Sequence, residues 1–207
     1  MKIINIPQNT DEWLEYRKGK ISGSKLKDIV VKRGINEKVG FYKLLADQVE
    51  AVADEEDDRD RGHRLESSAI EAFEQAKGLE VDADCGIWVS DKNDKIIISP
   101  DGGIKIDGEY SAAVEAKCLN GPNHLAVVIT GKLPDEFKDQ RIQYFIVNEK
   151  LETLYFVFHN PNITVLKWQT FIIQIDREDV EDEIEFYEEY QTKTLEKIYQ
   201  LLADNAF

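Results

Sequence analysis

The sequence predicts an α/β fold of the α+β kind, with helices in the N-terminal third, a sheet in the middle and an acidic helix at the C-terminus. Three observations carry this. Apolar residues recur at helical spacing up to about residue 79, the period then shortens to that of strands, and it lengthens again after residue 177. With 207 residues, 42% hydrophobic and 10% aromatic, the chain has enough apolar side chains for a core of its own. We therefore expect a single domain over residues 1–207: a helical part (1–79), a sheet with a crossing helix (80–177) and a terminal acidic helix (178–207).

Each element has its own signal. Thr10, Asp11 and Glu12 precede an apolar-periodic stretch, as at a helix start, and Gly19 breaks it. A second helix is expected to begin at Ser22 or Ser24, and a third to cover residues 41–53, with Leu44, Leu45, Val49 and Val52 apolar before the acidic run 54–58. Over 60–76, Leu65, Ala69, Ile70 and Phe73 keep helical spacing, and Lys77-Gly78 is a helix end. Strands are expected over 81–90, 95–99, 103–106 and 112–119, with turns at Asn93-Asp94, Asp101-Gly102-Gly103 and Asp107-Gly108, forming an antiparallel meander. A helix over 134–147 crosses the sheet, strands at 154–159 and 163–175 follow, and the last helix carries the stripe Val180, Ile184, Tyr187, Leu195, Ile198 and Leu202.

Composition excludes several classes. No apolar run approaches a membrane span, and the N-terminus lacks the apolar core of a secretory signal, so a soluble cytoplasmic protein is expected. Cys85 and Cys118 have no CxxC spacing, which argues against a zinc module or disulfide framework and for reduced, buried thiols. His63, His124 and His159 lack metal-cluster spacing and read as structural or surface groups, although His63 adjoins the motif around Glu66 and is placed to touch DNA. Trp13, Trp88 and Trp168 read as core residues.

The net charge of -15 counts against a nucleic-acid partner, because phosphate binding needs Lys and Arg. Its distribution changes that. Residues 17–43 hold nine basic residues against two acidic ones, whereas residues 178–207 hold ten acidic against two basic. A basic working surface with an acidic outer surface fits this asymmetry, and so do ordinary solvated helix faces.

The most informative stretch is IIISPDGGIKIDGEYSAAVEAKCLNGP. Asp101 ends a predicted strand, and Glu115 and Lys117 flank Ala116 fourteen positions later, on one face of the next long strand. Two carboxylates and an ammonium can converge there. Such oxygens suit Mg2+ or Mn2+, and the lysine can orient a water and stabilise charge on a scissile phosphate. Asp-Gly is also a common turn and Glu-x-Lys a common surface ion pair. The apolar setting AAVEAKCL favours the site, because an unpaired charge in such a strand is costly.

SPDG followed by VEAKC resembles the PD-(D/E)XK nuclease core. Together with EWLEYRKGKISGSKLKDIV and RGHRLESSAIEAFE, in that order over about two-thirds of the chain, it is similar to the lambda-exonuclease and YqaJ-like viral recombinase family, phage enzymes that resect double-stranded DNA. The resemblance implies a restriction-endonuclease-like core, a mixed sheet flanked by helices. It implies that Asp101, Glu115, the Ala116 carbonyl and Glu66 hold one or two Mg2+ ions, Mn2+ substituting, while Lys117 supports the attacking water. Arg17, Ser22 and Ser24 match the segment that grips a terminal 5′-phosphate, and Ser99, Gln140 and Gln143 join the DNA-contacting set. Two departures stand out: Arg141 occupies the first position of the family's Q-x-Q pair, and Cys118-Leu119 replaces its Cys-Pro.

The implied activity is a 5′-to-3′ exonuclease acting on double-stranded DNA ends and leaving 3′ overhangs. Its expected partner is a single-strand annealing protein and its expected assembly a homo-oligomeric, trimeric ring. An endonuclease or repair nuclease on the same core remains open, as does a catalytically inactive DNA-binding or DNA-mimicking protein.

Overall fold

A computed structural model describes residues 7, 10–17, 20, 28, 31, 34, 36–51 and 58–204, without the side chains of Arg17, Asp58 and Arg59. In chain order the elements are α1 (Asp11–Arg17), α2 (Val39–Val49), α3 (Asp58–Lys77), β1 (Trp88–Ser90), β2 (Asn93–Ile98), β3 (Gly102–Ile106), β4 (Glu109–Lys117), α4 (Gly121–Thr130), α5 (Lys138–Val147), β5 (Thr153–His159), β6 (Thr170–Asp176) and α6 (Glu181–Asp204). The chain divides into two compact units, residues 1–65, 118–131 and 158–171 in one and residues 66–117, 132–157 and 172–207 in the other. No helix among the described residues is long and apolar enough to cross a membrane.

In the first unit, the Thr10 hydroxyl accepts the Trp13 N–H at 3.2 Å and opens α1. The helix expected from Ser22 or Ser24 lies outside the described residues. Tyr42 and Ala46 of α2 share a core with Leu125 of α4 and with Ile163, and Trp168 packs against it. α4 is an element that the sequence reading left out. Its stop and start signals are nonetheless local: Asn120 accepts the Asn123 N–H at 3.1 Å, Pro122 stands in the first turn, and Gly131 closes the helix at φ 65°.

The second unit carries most of a four-stranded sheet in the order β3-β4-β5-β6, beside a separate two-stranded sheet of β1 and β2. The expected single meander is therefore two antiparallel hairpins in different sheets. The expected strand over 81–90 shrinks to β1, because the Asp82 carboxylate accepts the Asp84 N–H at 3.2 Å in a turn and Gly86 takes φ 71°. Asp82 keeps only an isolated bridge to Gly103. The strand expected over 163–175 is likewise broken, by a 3-10 turn at Leu166–Trp168. The β3–β4 hairpin turns at Asp107 and Gly108, both at positive φ (53° and 87°), the backbone of a type I′ turn.

β4 is buried from Ala112 to Glu115, with Ala113 and Val114 fully inaccessible, and Phe156, Phe145 and Tyr144 are equally enclosed. Helix formation at 134–147 is split: Pro134 precedes a 3-10 turn, Asp135–Phe137, and α5 follows. α6 packs against α5; none of its residues is buried, and Phe186 and Tyr190 stand exposed, as do Ile198 and Leu202 of its expected apolar stripe.

Candidate active site

Asp101 is the residue before β3. Gly102 pairs with Val114, so the next rung of the antiparallel ladder sets Asp101 across from Glu115. The chain can run this close only without side chains: a Cβ on Gly102 would lie 2.3 Å from Val81 Cγ1, and one on Gly103 2.5 Å from Tyr110 Cε1. The two glycines after Asp101 thus hold β3 in place, and Asp101 Oδ2 accepts the Ala116 N–H at 2.8 Å.

Strand alternation brings Glu115 and Lys117 to one face, and Lys117 Nζ donates to Glu115 Oε1 at 2.5 Å. Glu115 is only 4% exposed, and a bare carboxylate at that depth is strongly disfavoured. Its oxygens are met by three donors. Oε1 takes Lys117 and the Gln140 amide, the latter at 2.7 Å, and Oε2 takes the Tyr144 hydroxyl. Lys117 Nζ also sits 4.8 Å from the centre of the Phe137 ring.

Negative charge outweighs positive charge here. Burial and the adjacent Glu115 push the Asp101 carboxyl up to about 7, with a smaller push from Glu66 on α3, against the Ala116 N–H and Lys117 that pull it down. Burial and the charge of Glu115 raise the Tyr144 phenol above its ordinary range, so it remains a donor. Burial likewise raises the half-buried Cys85 thiol, whose Sγ lies 3.8 Å from the Pro100 carbonyl. Cys118 is buried; neither cysteine forms a disulfide, and Cys85 is less enclosed than expected.

The structure brings together Asp101, Glu115, Ala116 and Lys117, with Glu66 half-buried near enough for its charge to reach Asp101. Ser99 is exposed in the segment leading to Asp101. Gln140 and Gln143 part company: Gln140 and Tyr144, four residues apart, both reach Glu115, whereas Gln143 finds other partners. Gln143 donates to the Ile97 carbonyl at 3.2 Å and accepts from Gln191 at 2.8 Å. Arg141 reaches Glu183 of α6, Nη2 donating to Oε1 at 2.5 Å and to Oε2 at 2.8 Å. Arg17 ends α1, its side chain outside the described residues, as are Ser22 and Ser24 and most of the basic run 17–43. His63 is exposed on α3, while His124 and His159 are buried. Sequence reading left Tyr144 out of the site; its four-residue spacing from Gln140 was the signal.

The sequence profile of the YqaJ-like viral recombinase domain matches residues 12–150, which contain Arg17, Ser22, Ser24, Glu66, Ser99, Asp101, Glu115, Lys117, Gln140 and Gln143. The chain belongs to this family. Its fold is similar to that of an alkaline exonuclease, LHK-Exo, from Laribacter hongkongensis (23% identity, TM-score 0.61, covering 95% of this chain and 98% of that one). A second structure, LHK-Exo in complex with dAMP, superposes equally well (22% identity, TM-score 0.60, with the same coverage). Both share the PD-(D/E)XK-like fold, a mixed sheet flanked by helices. A comparison with curated protein sequences gave no match.

Proposed function

We propose that the chain is a metal-dependent 5′-to-3′ exonuclease on double-stranded DNA that leaves 3′ single-stranded overhangs. Family membership supports nuclease function in general. The observation that supports metal-dependent cleavage is the convergence of Asp101, Glu115 and Lys117 around the Ala116 backbone, while the polarity and the overhang rest on the resemblance of the Arg17–Ser24 segment.

Among the described residues no three His, Cys, Asp or Glu side chains form a metal cage by themselves. The donor set that does converge, two carboxylates with the Ala116 carbonyl, fits a hard cation that keeps positions for water and phosphate oxygens. Burial, with the charges of Glu115 and Glu66, raises the Asp101 carboxyl, so a cation bound beside it would be favoured. Asp101, Glu115 and the Ala116 carbonyl are therefore assigned to one or two Mg2+ ions, Mn2+ substituting, with Glu66 assisting. When bound, the ion supplies Lewis-acid stabilisation of charge on the scissile phosphate. Lys117 orients the attacking water and adds its own charge opposite the phosphate. Gln140 and Tyr144 hold the two oxygens of Glu115 and keep it aimed. Arg17, Ser22, Ser24 and Ser99 are assigned to the DNA strand and its 5′-phosphate.

A ring of three chains fits a protein of net charge -15 that must nonetheless hold a polyanion, with its basic segments turned inward. A single-strand annealing protein would receive the 3′ overhang. Incubation with Mg2+ and linear duplex carrying 5′-phosphate or 5′-hydroxyl ends, beside closed circular duplex, tests the reading. Loss of one strand from phosphorylated linear ends alone is expected; nicking of the circle would refute an exonuclease.

A further inference from the structure

α5 faces two partners. Gln140 and Tyr144, four residues apart, hold the two oxygens of Glu115. The residues between and beside them turn outward to α6: Arg141 to Glu183, Asp139 to the Tyr187 hydroxyl at 2.6 Å, and Gln143 to Gln191. Glu183, Tyr187 and Gln191 recur every four residues and so make one stripe along α6. Lys92, in the turn between β1 and β2, holds the neighbouring Glu188 at 2.6 Å.

α5 has ten residues and no side-chain cap at its N-terminus, so its register depends on what it packs against. Of the outward contacts, only the Arg141–Glu183 pair joins full charges, one guanidinium nitrogen meeting both carboxylate oxygens, and the Arg141 side chain is only 19% exposed. A shift of α5 would withdraw Gln140 and Tyr144 together, leaving Lys117 as the remaining donor to a buried carboxylate.

We propose that Arg141, through its pair with Glu183, is a positioning residue for the Glu115 carboxylate. It fixes α5 at the register where Gln140 and Tyr144 reach both oxygens. The inference rests on the assignment of Glu115 to the metal site only for its effect on cleavage; its geometric content stands apart from that.

The test compares Arg141→Glu, Glu183→Arg and the doubly swapped protein. The first readout is the NMR signal of the Gln140 side-chain amide, identified by its loss in Gln140→Ala. The second is the Mg2+ concentration for half-maximal cleavage of 5′-phosphorylated linear duplex, with KM and kcat. Each single variant should move the Gln140 amide toward the position of a free side chain. It should raise the Mg2+ requirement about tenfold or more, as loss of support around a metal ligand does. KM for DNA should stay within about twofold, since no DNA contact is removed. The swap should restore both readouts. Should a reversal unfold the protein, Arg141→Gln, which creates no like-charge pair, is read in the same way. A Gln140 amide unmoved in Arg141→Gln or in the folded single variants, or a folded swap that restores neither readout, overturns the proposal. A wild type that cleaves nothing while the amide moves and returns as expected sinks the nuclease reading and leaves the positioning role standing.

Discussion

The Tyr144 hydroxyl donates to Glu115 Oε2, a fully buried phenol on a carboxylate that is itself almost inaccessible. The consequence is that the second oxygen of a carboxylate set in an apolar strand keeps a hydrogen-bond donor, without which its burial would be costly.

Glu115→Gln keeps the volume and one acceptor oxygen while removing the charge, and Lys117→Ala removes the only cation within hydrogen-bonding distance of Glu115 among the described residues. Both should lower cleavage at least a hundredfold, an order of loss common for groups that stabilise transition-state charge. Melting curves should remain cooperative. Near-normal cleavage by either folded variant would remove the assigned centre.

Asp101, Glu115 and Glu66 repel one another when no cation is present, so Mg2+ should raise the melting temperature by binding the folded state alone. Asp101→Asn relieves part of that repulsion. It should melt higher than wild type in chelator and gain little from millimolar Mg2+. A wild type indifferent to Mg2+ in the same scan would argue that the carboxylates serve some other end.

How much of this was readable beforehand depends on the range of the signal. The β3–β4 hairpin and the facing of Asp101, Glu115 and Lys117 follow from an Asp-Gly turn and strand alternation, both local. The division of the meander into two sheets was not readable, because strand patterns carry no information on which strand pairs with which. α4 was missed for a different reason: its apolar run is short, and a short apolar run has no period of its own. Arg141 looked like a departure from a glutamine pattern, since its partner Glu183 lies 42 residues away on another helix.

His124 offers a stability probe in the first unit, away from the chemistry. It is fully buried, its Nε2 donates to the Trp168 carbonyl at 2.7 Å, and Nδ1 has no hydrogen-bond partner among the described residues. Burial, opposed by that one bond, holds its pKa down to about 4 from 6.5. Below pH 6.5 the unfolded chain takes up a proton that the folded one refuses, so stability is lost as pH falls and the loss levels off near pH 4. The full effect is about 3 kcal/mol. Denaturant titrations at pH 7 and pH 4.5 should show a smaller drop for His124→Gln than for wild type, and equal drops would show the imidazole to be already charged in the fold.

Arg17→Ala should weaken the preference for 5′-phosphorylated ends while leaving hydroxyl ends unaffected. A lost charge-assisted contact is worth roughly 1.5–3 kcal/mol, or about tenfold to a hundredfold in rate at such an end. Paired rate measurements on the two ends decide it; a variant that discriminates as well as wild type would move the gripping role to other residues.

A ring makes the strongest demand on the charge distribution. Residues 17–43 carry an excess of seven positive charges and residues 178–207 an excess of eight negative ones, so a single chain offers DNA one attracting segment and one repelling segment of similar charge. Three chains arranged with their basic segments around a channel concentrate the attraction and move the acidic helices to the rim, where counterions screen them within about 10 Å at 0.1 M salt. The exposed apolar residues of α6, Phe186, Tyr190, Ile198 and Leu202, would then lie on an outer surface of the assembly. Light scattering at micromolar concentration should give about three times the 23.8 kDa of one chain. A ring also retains its duplex, so many nucleotides should be removed per encounter in the presence of excess unlabelled trap DNA. A mass of one chain throughout the concentration range, with digestion that halts on addition of the trap, would replace the ring by a monomer that releases after each cut.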